Sequence, residues 1–253
     1  MDSIELKTPA ELAKMRQAGR VVAEVLRLME DIAEPGVTTE QLDRAAGDHI
    51  EAQGARAAFK GYRGFPASIC TSVNEEVVHG IPGARQLRAG DLLKVDVGAV
   101  WDGYYADAAV TVPIGDVSEA ARRLMVATRQ ALNDGIAVVR SGVRLSEIAL
   151  SVQRAAESRG FSVVTQYTGH GIGRALHEEP RVPNFLPPRF GRQDRSLAAG
   201  TVIAIEPMVN EGTHRTDVLE NGWTVVTRDR KLSAHFEHTV AVDENGPVIL
   251  TVP

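Results

Sequence analysis

One arrangement occurs twice along this 253-residue chain: two helices, then strands, then the same order again. A duplication constrains the fold strongly, because each copy must bury a like face against its mate. Pro35-Gly36-Val37, followed by a helix ending near Gly54, matches Ser141-Gly142-Val143, followed by a helix ending at Gly160, at an offset of 106. Leu87-Arg88-Ala89-Gly90-Asp91-Leu92-Leu93 matches Leu197-Ala198-Ala199-Gly200-Thr201-Val202-Ile203 at an offset of 110.

Local signals agree with this reading. Thr8-Pro9-Ala10-Glu11 joins an N-cap, a proline at the first helical position and a capping-box glutamate. Leu12, Met15, Val22, Val25, Leu26, Met29 and Ile32 follow at helical spacing until Glu34-Pro35-Gly36 stops the run. Thr38 with Gln41 opens the second helix through Leu42, Ala46 and Ile50. In the second copy Ser118 caps a helix through Leu124, Ala131 and Ile136, and another forms around Ile148, Val152 and Ala156. Strands are expected over 91–97 and 104–112, turned by Asp102-Gly103, and again near 162–168, 201–205, 223–227 and 236–242. No Pro/Ser-rich linker divides the halves, about 8–115 and 116–253, so residues 1–253 are expected to form a single catalytic domain.

Composition narrows the setting. A formal charge of −5 gives no bulk reason to expect nucleic acid as a partner. Cys70 is alone, which excludes an intrachain disulfide and points to a reducing compartment. No apolar run nears the ~18 residues of a membrane span, and MDSIELKTPAEL lacks the apolar core of a signal peptide. A cytoplasmic protein is expected.

The chemistry lies in acids at matched places. Asp96 falls on Glu206, and Asp107 on Glu237, each in or beside an aliphatic strand where an uncompensated carboxylate is costly. Four such acids across a pseudo-twofold call for hard divalent cations. Asp96 and Asp107 bracket the Asp102-Gly103 turn, which brings them within about two positions of cross-strand register. His170, between Gly169 and Gly171, offers a nitrogen ligand, and His238 flanks Glu237. His79-Gly80-Ile81-Pro82 and His177-Glu178-Glu179-Pro180 form a further pair, whereas His49 reads as a surface or packing residue. Two metals ~3.5–4 Å apart activate water for hydrolysis of an amide or a phosphate. The ligand strands offer mainly Lys94 as a cation for phosphate, so peptide hydrolysis fits better. The residues by themselves reach a dinuclear hydrolase.

Lys94-Val95-Asp96-Val97-Gly98, Tyr105-Ala106-Asp107, Gly169-His170-Gly171-Ile172-Gly173-Arg174, Ile205-Glu206-Pro207-Met208 and Phe236-Glu237-His238-Thr239 together resemble type I methionine aminopeptidases. The likeness spans nearly the whole chain and includes Cys70-Thr71-Ser72-Val73-Asn74-Glu75 and Val78-His79-Gly80-Ile81-Pro82. It implies an α/β (α+β) pita-bread fold, in which duplicated helix-helix-strand halves surround a curved antiparallel sheet. It also implies two divalent ions (Co, Mn, Fe or Zn) on Asp96, Asp107, His170, Glu206 and Glu237, with Asp107 and Glu237 bridging. Glu206 is then the proton carrier, His177 the oxyanion donor, and His79 a holder of substrate or a proton donor to the leaving amine. A monovalent cation near Asn74 and Ser233 follows from the same resemblance.

The implied methionine pocket is Phe59, Tyr62, Phe65, Cys70 and Trp223, with His79 and His177 at its reacting end. The chain has only 12 aromatic residues, none before Phe59, and sulfur–aromatic contacts suit a methionine side chain. Family members often carry Cys at position 59, Tyr at 65, His at 63 and an aromatic at 176, where this chain has Phe59, Phe65, Arg63 and Leu176; Leu176 is expected to widen the pocket mouth. The implied substrate is the N-terminal methionine of newly made polypeptides with a small second residue, handled by a monomer that meets the ribosome transiently and binds no membrane or specific nucleic acid. Xaa-Pro aminopeptidases and prolidases generally carry an extra N-terminal domain, for which a helix beginning by Thr8 leaves no room. Non-catalytic relatives have lost ligands, whereas all five are present. The basic run Arg228-Asp229-Arg230-Lys231 reads as a solvated hairpin tip. Without a zinc-finger extension or a long insertion, the chain looks like the short bacterial form.

Overall fold

A computed structural model describes residues 3–252. The first half runs α1 (Pro9–Ile32), α2 (Thr39–Ala52), β1 (Arg56–Ala57), β2 (Ile69–Val73), β3 (Glu76–Val78), β4 (Leu92–Trp101) and β5 (Tyr104–Pro113). The second runs α3 (Glu119–Ala137), α4 (Leu145–Glu157), β6 (Ser162–Val163), β7 (Gly169–Gly171), β8 (Glu178–Val182), β9 (Val202–Ile205), β10 (Met208–Asn210), β11 (Thr216–Val218), β12 (Val225–Thr227), β13 (Ser233–His235), β14 (Glu237–Asp243) and β15 (Gly246–Ile249). Among the described residues no helix is long and apolar enough to cross a membrane.

The expected caps form. The Thr8 backbone N–H donates to Glu11 at 2.8 Å, and that of Thr38 donates to Gln41 at 2.8 Å. Each closes one half of a reciprocal capping box and satisfies a donor left orphaned at a helix start. Trp101 pairs with Tyr104 across Asp102 and Gly103, whose φ values of 47° and 81° make the primed turn that an Asp-Gly pair favours.

The duplication is written in hydrogen bonds at the two sequence offsets. Gly36 N–H donates to the Leu87 carbonyl at 2.9 Å, and Gly142 N–H to the Leu197 carbonyl at 2.7 Å. Both glycines sit at positive φ, 96° and 88°, which explains the residue type shared by the two turns. Isolated bridges join Thr38 to Gln86 and Arg144 to Ser196. Arg56 pairs with Val100 as Ser162 pairs with Asn210.

A nine-stranded antiparallel sheet of order β1-β4-β5-β14-β9-β7-β8, with β2 beside β4 and β15 beside β14, carries strands of both halves. The halves meet where β5 pairs with β14. At this joint Thr111 exchanges two bonds with the His235 backbone (2.7 and 2.9 Å), and Thr239 does the same with Asp107 (2.7 and 3.0 Å). The ladder there pairs Glu237 with Ala109 and His238 with Ala108, so Asp107 and Glu237 share one face of the sheet.

Strand alternation decides which face that is. Val95 and Val97, Val110 and Val112, and Val240 and Val242 join residues of all four helices in one buried cluster. Asp96, Asp107 and Glu237 occupy the alternate positions and project from the other face. The expected strand over 162–168 breaks after Val163: the Gln166 side chain accepts from Thr216 N–H and Oγ1 at 3.1 and 2.7 Å, replacing a backbone ladder there.

Candidate metal centre

The five expected ligands line one cleft. Strand β4 brings Asp96, β5 brings Asp107, β7 brings His170, and β14 opens with Glu237, while Glu206 stands in the short link between β9 and β10. Ligand atoms of Asp107, His170 and Glu237 lie within 4.8 Å of one another. His170 Nε2 is 3.4 Å from Asp107 Oδ2 and 3.5 Å from Glu206 Oε1. Its Nδ1 lies 2.9 Å from the Gly171 carbonyl, so a proton on Nδ1 leaves the Nε2 lone pair facing the acids. The glycines beside it are required by crowding: a Cβ at 169 would strike the Ala204 carbonyl, and one at 171 the Glu179 carbonyl.

Without a cation this cluster opposes its own charge. Burial pushes Asp96 and Glu237 well above the usual carboxylate range, and neighbouring carboxylates, Asp107 foremost, add to the shift. Burial also drives Glu206 up to about 8, against the pull of His170. Burial lowers His170, but Asp107 and Glu206 overcome it and raise the imidazole to about 9. Asp96 Oδ1 is buried with no hydrogen-bond partner. Hard oxygen donors, one imidazole and an orphaned carboxylate oxygen fit divalent metal and little else.

The two further histidines flank the cluster. The His177 ring centroid is 4.2 Å from that of His170. Tyr62 stacks on His177, and its hydroxyl lies 2.9 Å from Nδ1. Burial and the charge of His170 hold His177 down at about 4, so the ring is neutral near pH 7. His79 has left-handed backbone, φ 60°, and its ring meets Tyr167 and Trp223 edge-on. Burial lowers its pKa as well.

Phe59, Tyr62, Phe65, Cys70 and Trp223 form a wall of the same cleft. Phe65 and Trp223 meet edge to face at 5.1 Å, and Cys70 pairs across the ladder with Asp96, which joins pocket wall to metal cluster. Leu176 lines the cleft, 3% exposed and packed among these rings, in a loop tied by Glu178. That carboxylate accepts from Arg174 and Ala175 N–H at 2.6 and 3.0 Å and from the Lys7 ammonium at 2.5 Å.

Some supporting residues carry no sequence signal. Thr239 donates to the Asp107 carbonyl and its Oδ1, from 132 residues away. Asn184 Nδ2 donates to the Glu206 carbonyl at 3.1 Å. His238 points away from the cluster toward Thr251 Oγ1 (2.8 Å), and His49 pairs with Glu24. At the hairpin tip Arg228 pairs with Asp217 at 2.8 Å. At Asn74 and Ser233, where the resemblance implies a monovalent cation, the Asn74 carbonyl instead accepts from the Lys94 ammonium at 2.7 Å.

A sequence model of metallopeptidase family M24 matches residues 13–244. The chain belongs to that family. This M24 protein is 50% identical over 250 residues to a methionine aminopeptidase of Clostridium acetobutylicum, covering 98% of this chain and 99% of that one. It is 47% identical to methionine aminopeptidase 1 of Bacillus subtilis, covering 97% and 98%. It superposes on the crystal structure of methionine aminopeptidase from Thermotoga maritima with a TM-score of 0.96, at 43% identity and over 99% of this chain and 100% of that one. A prolidase from Pyrococcus furiosus shares the fold, with a TM-score of 0.80 at 20% identity, covering 98% of this chain and 65% of that one. The M24 chain thus has the expected pita-bread architecture, and its family is one of metal-dependent peptidases.

Proposed function

We propose that this protein is a methionine aminopeptidase that removes the N-terminal methionine from newly made polypeptides whose second residue is small. The observation that carries the reading is that Asp96, Asp107, His170, Glu206 and Glu237 line one cleft with a set of rings and one cysteine. Near-full-length relatives of that name support it. We read the chain as one catalytic domain acting as a monomer in the cytoplasm, with the single cysteine Cys70 in keeping with a reducing compartment.

Two divalent ions, drawn from Co, Mn, Fe and Zn, would be held by Asp96, Asp107, His170, Glu206 and Glu237, and would supply a water of lowered pKa and polarisation of the scissile carbonyl. The remaining work falls to the chain. Glu206 takes a proton from the attacking water and returns it toward the leaving amine. The methionine side chain lies against Phe59, Phe65, Cys70 and Trp223, where thioether–ring contacts contribute ~0.3–1.5 kcal/mol each. His79 holds the substrate beside Trp223.

His177 donates Nε2–H to the carbonyl oxygen as its charge develops. This requires the tautomer protonated on Nε2, and Tyr62 selects it by donating its hydroxyl to Nδ1. Tyr62→Phe removes one hydrogen bond of ~0.5–1.5 kcal/mol, so kcat falls about 2–12-fold with KM little changed. Imidazole 15N shifts check the cause: the Nε2–H population of His177 drops in the variant, and an unchanged tautomer with unchanged kcat rejects the role.

The function is tested by metal-dependent release of methionine from Met-Ala-Ser, alongside Ala-Pro peptides. Turnover of Met-Ala-Ser that vanishes on chelation and returns with Mn or Co is expected; turnover of Ala-Pro peptides alone sinks the assignment.

A further inference from the structure

Lys94 is a titratable group for which the proposed reaction has no use. It lies two residues before Asp96 on β4, is 1% exposed, and ranks among the bulkiest fully buried side chains. Its ammonium donates to the Asn74 carbonyl at 2.7 Å. That carbonyl belongs to a rigid corner. Asn74 has a left-handed φ of 57°, its N–H donates to the Leu92 carbonyl at 2.8 Å, and its side chain bridges Asp91 and the Leu92 N–H at 2.8 and 2.9 Å.

The same carbonyl accepts a second bond, from Ser233 N–H at 3.1 Å, which crosses from the first half of the chain to the second. The Ser233 hydroxyl is also committed: it donates to Asn210 Oδ1 at 2.8 Å. The Asn74 carbonyl is therefore already engaged by two donors of this protein, and the Ser233 hydroxyl is spent on Asn210. Carboxylates hold the same corner: Asp91 Oδ1 accepts from Asn74 Nδ2 at 2.8 Å, and Glu76 Oε2 accepts from Val73 N–H at 2.6 Å.

We propose that the Lys94 ammonium is the resident cation of the Asn74–Ser233 corner, so that this protein neither binds nor needs sodium or potassium there. Lysine suits the position because its compact ammonium carries three donors on a long apolar stem. The corner matters to the metal centre. Asn74 ends the strand that bears Cys70, and Ser233 begins the one that leads through Phe236 into Glu237. One fixed charge thus sets the spacing between pocket wall and ligand strand. A bound ion stabilises by mass action and its effect follows its concentration; a tethered ammonium has no such dependence.

The test uses the full chain with divalent metal supplied throughout, and thermal unfolding as the readout, so it stands or falls apart from the peptidase assignment. Midpoints are measured in sodium, potassium and choline chloride at one pH and ionic strength. The natural chain should unfold at the same temperature in all three. Lys94→Ser, which trades the ammonium for space and an oxygen, should lose about 5 °C or more in choline chloride and regain part of it saturably in sodium or potassium. Lys94→Met, similar in size but without charge or oxygen, should lose stability and regain none in either salt. A saturable gain of the natural chain in sodium or potassium over choline overturns the proposal, whether or not the variants fold. A Lys94→Ser protein indifferent to the three salts overturns it too.

Discussion

Glu206→Gln is expected to lower kcat for methionine release by about 10²–10⁴-fold, the usual share of a positioned acid–base group. Glutamine keeps the shape and one coordinating oxygen but carries neither negative charge nor an exchangeable acid proton. The side chain is 14% exposed and sits 3.5 Å from His170 Nε2, so no bulk water replaces it in either role. Weaker metal binding accompanies the change, which confounds a measurement at one metal concentration. Rates are therefore taken across a metal titration to saturation. A low plateau assigns Glu206 to proton transfer. A plateau that climbs back to the natural value leaves it a ligand alone, and unchanged activity at all metal concentrations rejects both roles.

The metal-free protein should lose stability as pH rises, and the metal-loaded protein should not. Asp96, Glu206 and Glu237 have folded-state pKa values above their unfolded ones, because burial and mutual repulsion oppose their charge. The folded chain then holds protons that the unfolded chain releases. Their contribution is complete below the unfolded value of 4.5 and is lost as pH climbs through about 8, the level of Glu206. His170, raised from 6.5 to about 9, acts in the same direction. For Glu206 alone the loss is on the order of 3–5 kcal/mol. Divalent metal reverses the slope, since ligands must shed protons to bind it. Denaturant midpoints at about pH 5.5 and 8.5, with chelator and with Mn, check this, and a metal-free protein equally stable at both values defeats the reading. Glu237→Gln removes one repelling charge, so it should raise the metal-free midpoint at pH 8.5 while abolishing activity.

Much of this centre was legible beforehand because its logic is local. An acid inside Leu92–Trp101 or Tyr104–Pro113 is conspicuous among valines and alanines, and Asp102-Gly103 sets the hairpin register on its own. The duplication was legible because Gly36 and Gly142 begin matching turns with the same backbone requirement. The tie from Lys7 to Glu178, in the loop that bears Leu176, leaves no trace in the sequence because 171 residues separate the partners.

The chain by itself showed the halves, the caps and four acids with one histidine as candidate ligands, through residue type and short spacing, while its resemblance to type I methionine aminopeptidases implied the ring-lined pocket. Tertiary structure alone decided what steadies them: Thr239 on Asp107, Tyr62 on His177, and the Lys94 ammonium on the Asn74 carbonyl. Thr239 and Tyr62 reach partners 132 and 115 residues away. Lys94 meets Asn74 only 20 residues off, but through a strand ladder and a turn that must both be formed first. Propensity and periodicity report on neighbours along the chain; a hydrogen bond between distant side chains exists only once the sheet has closed.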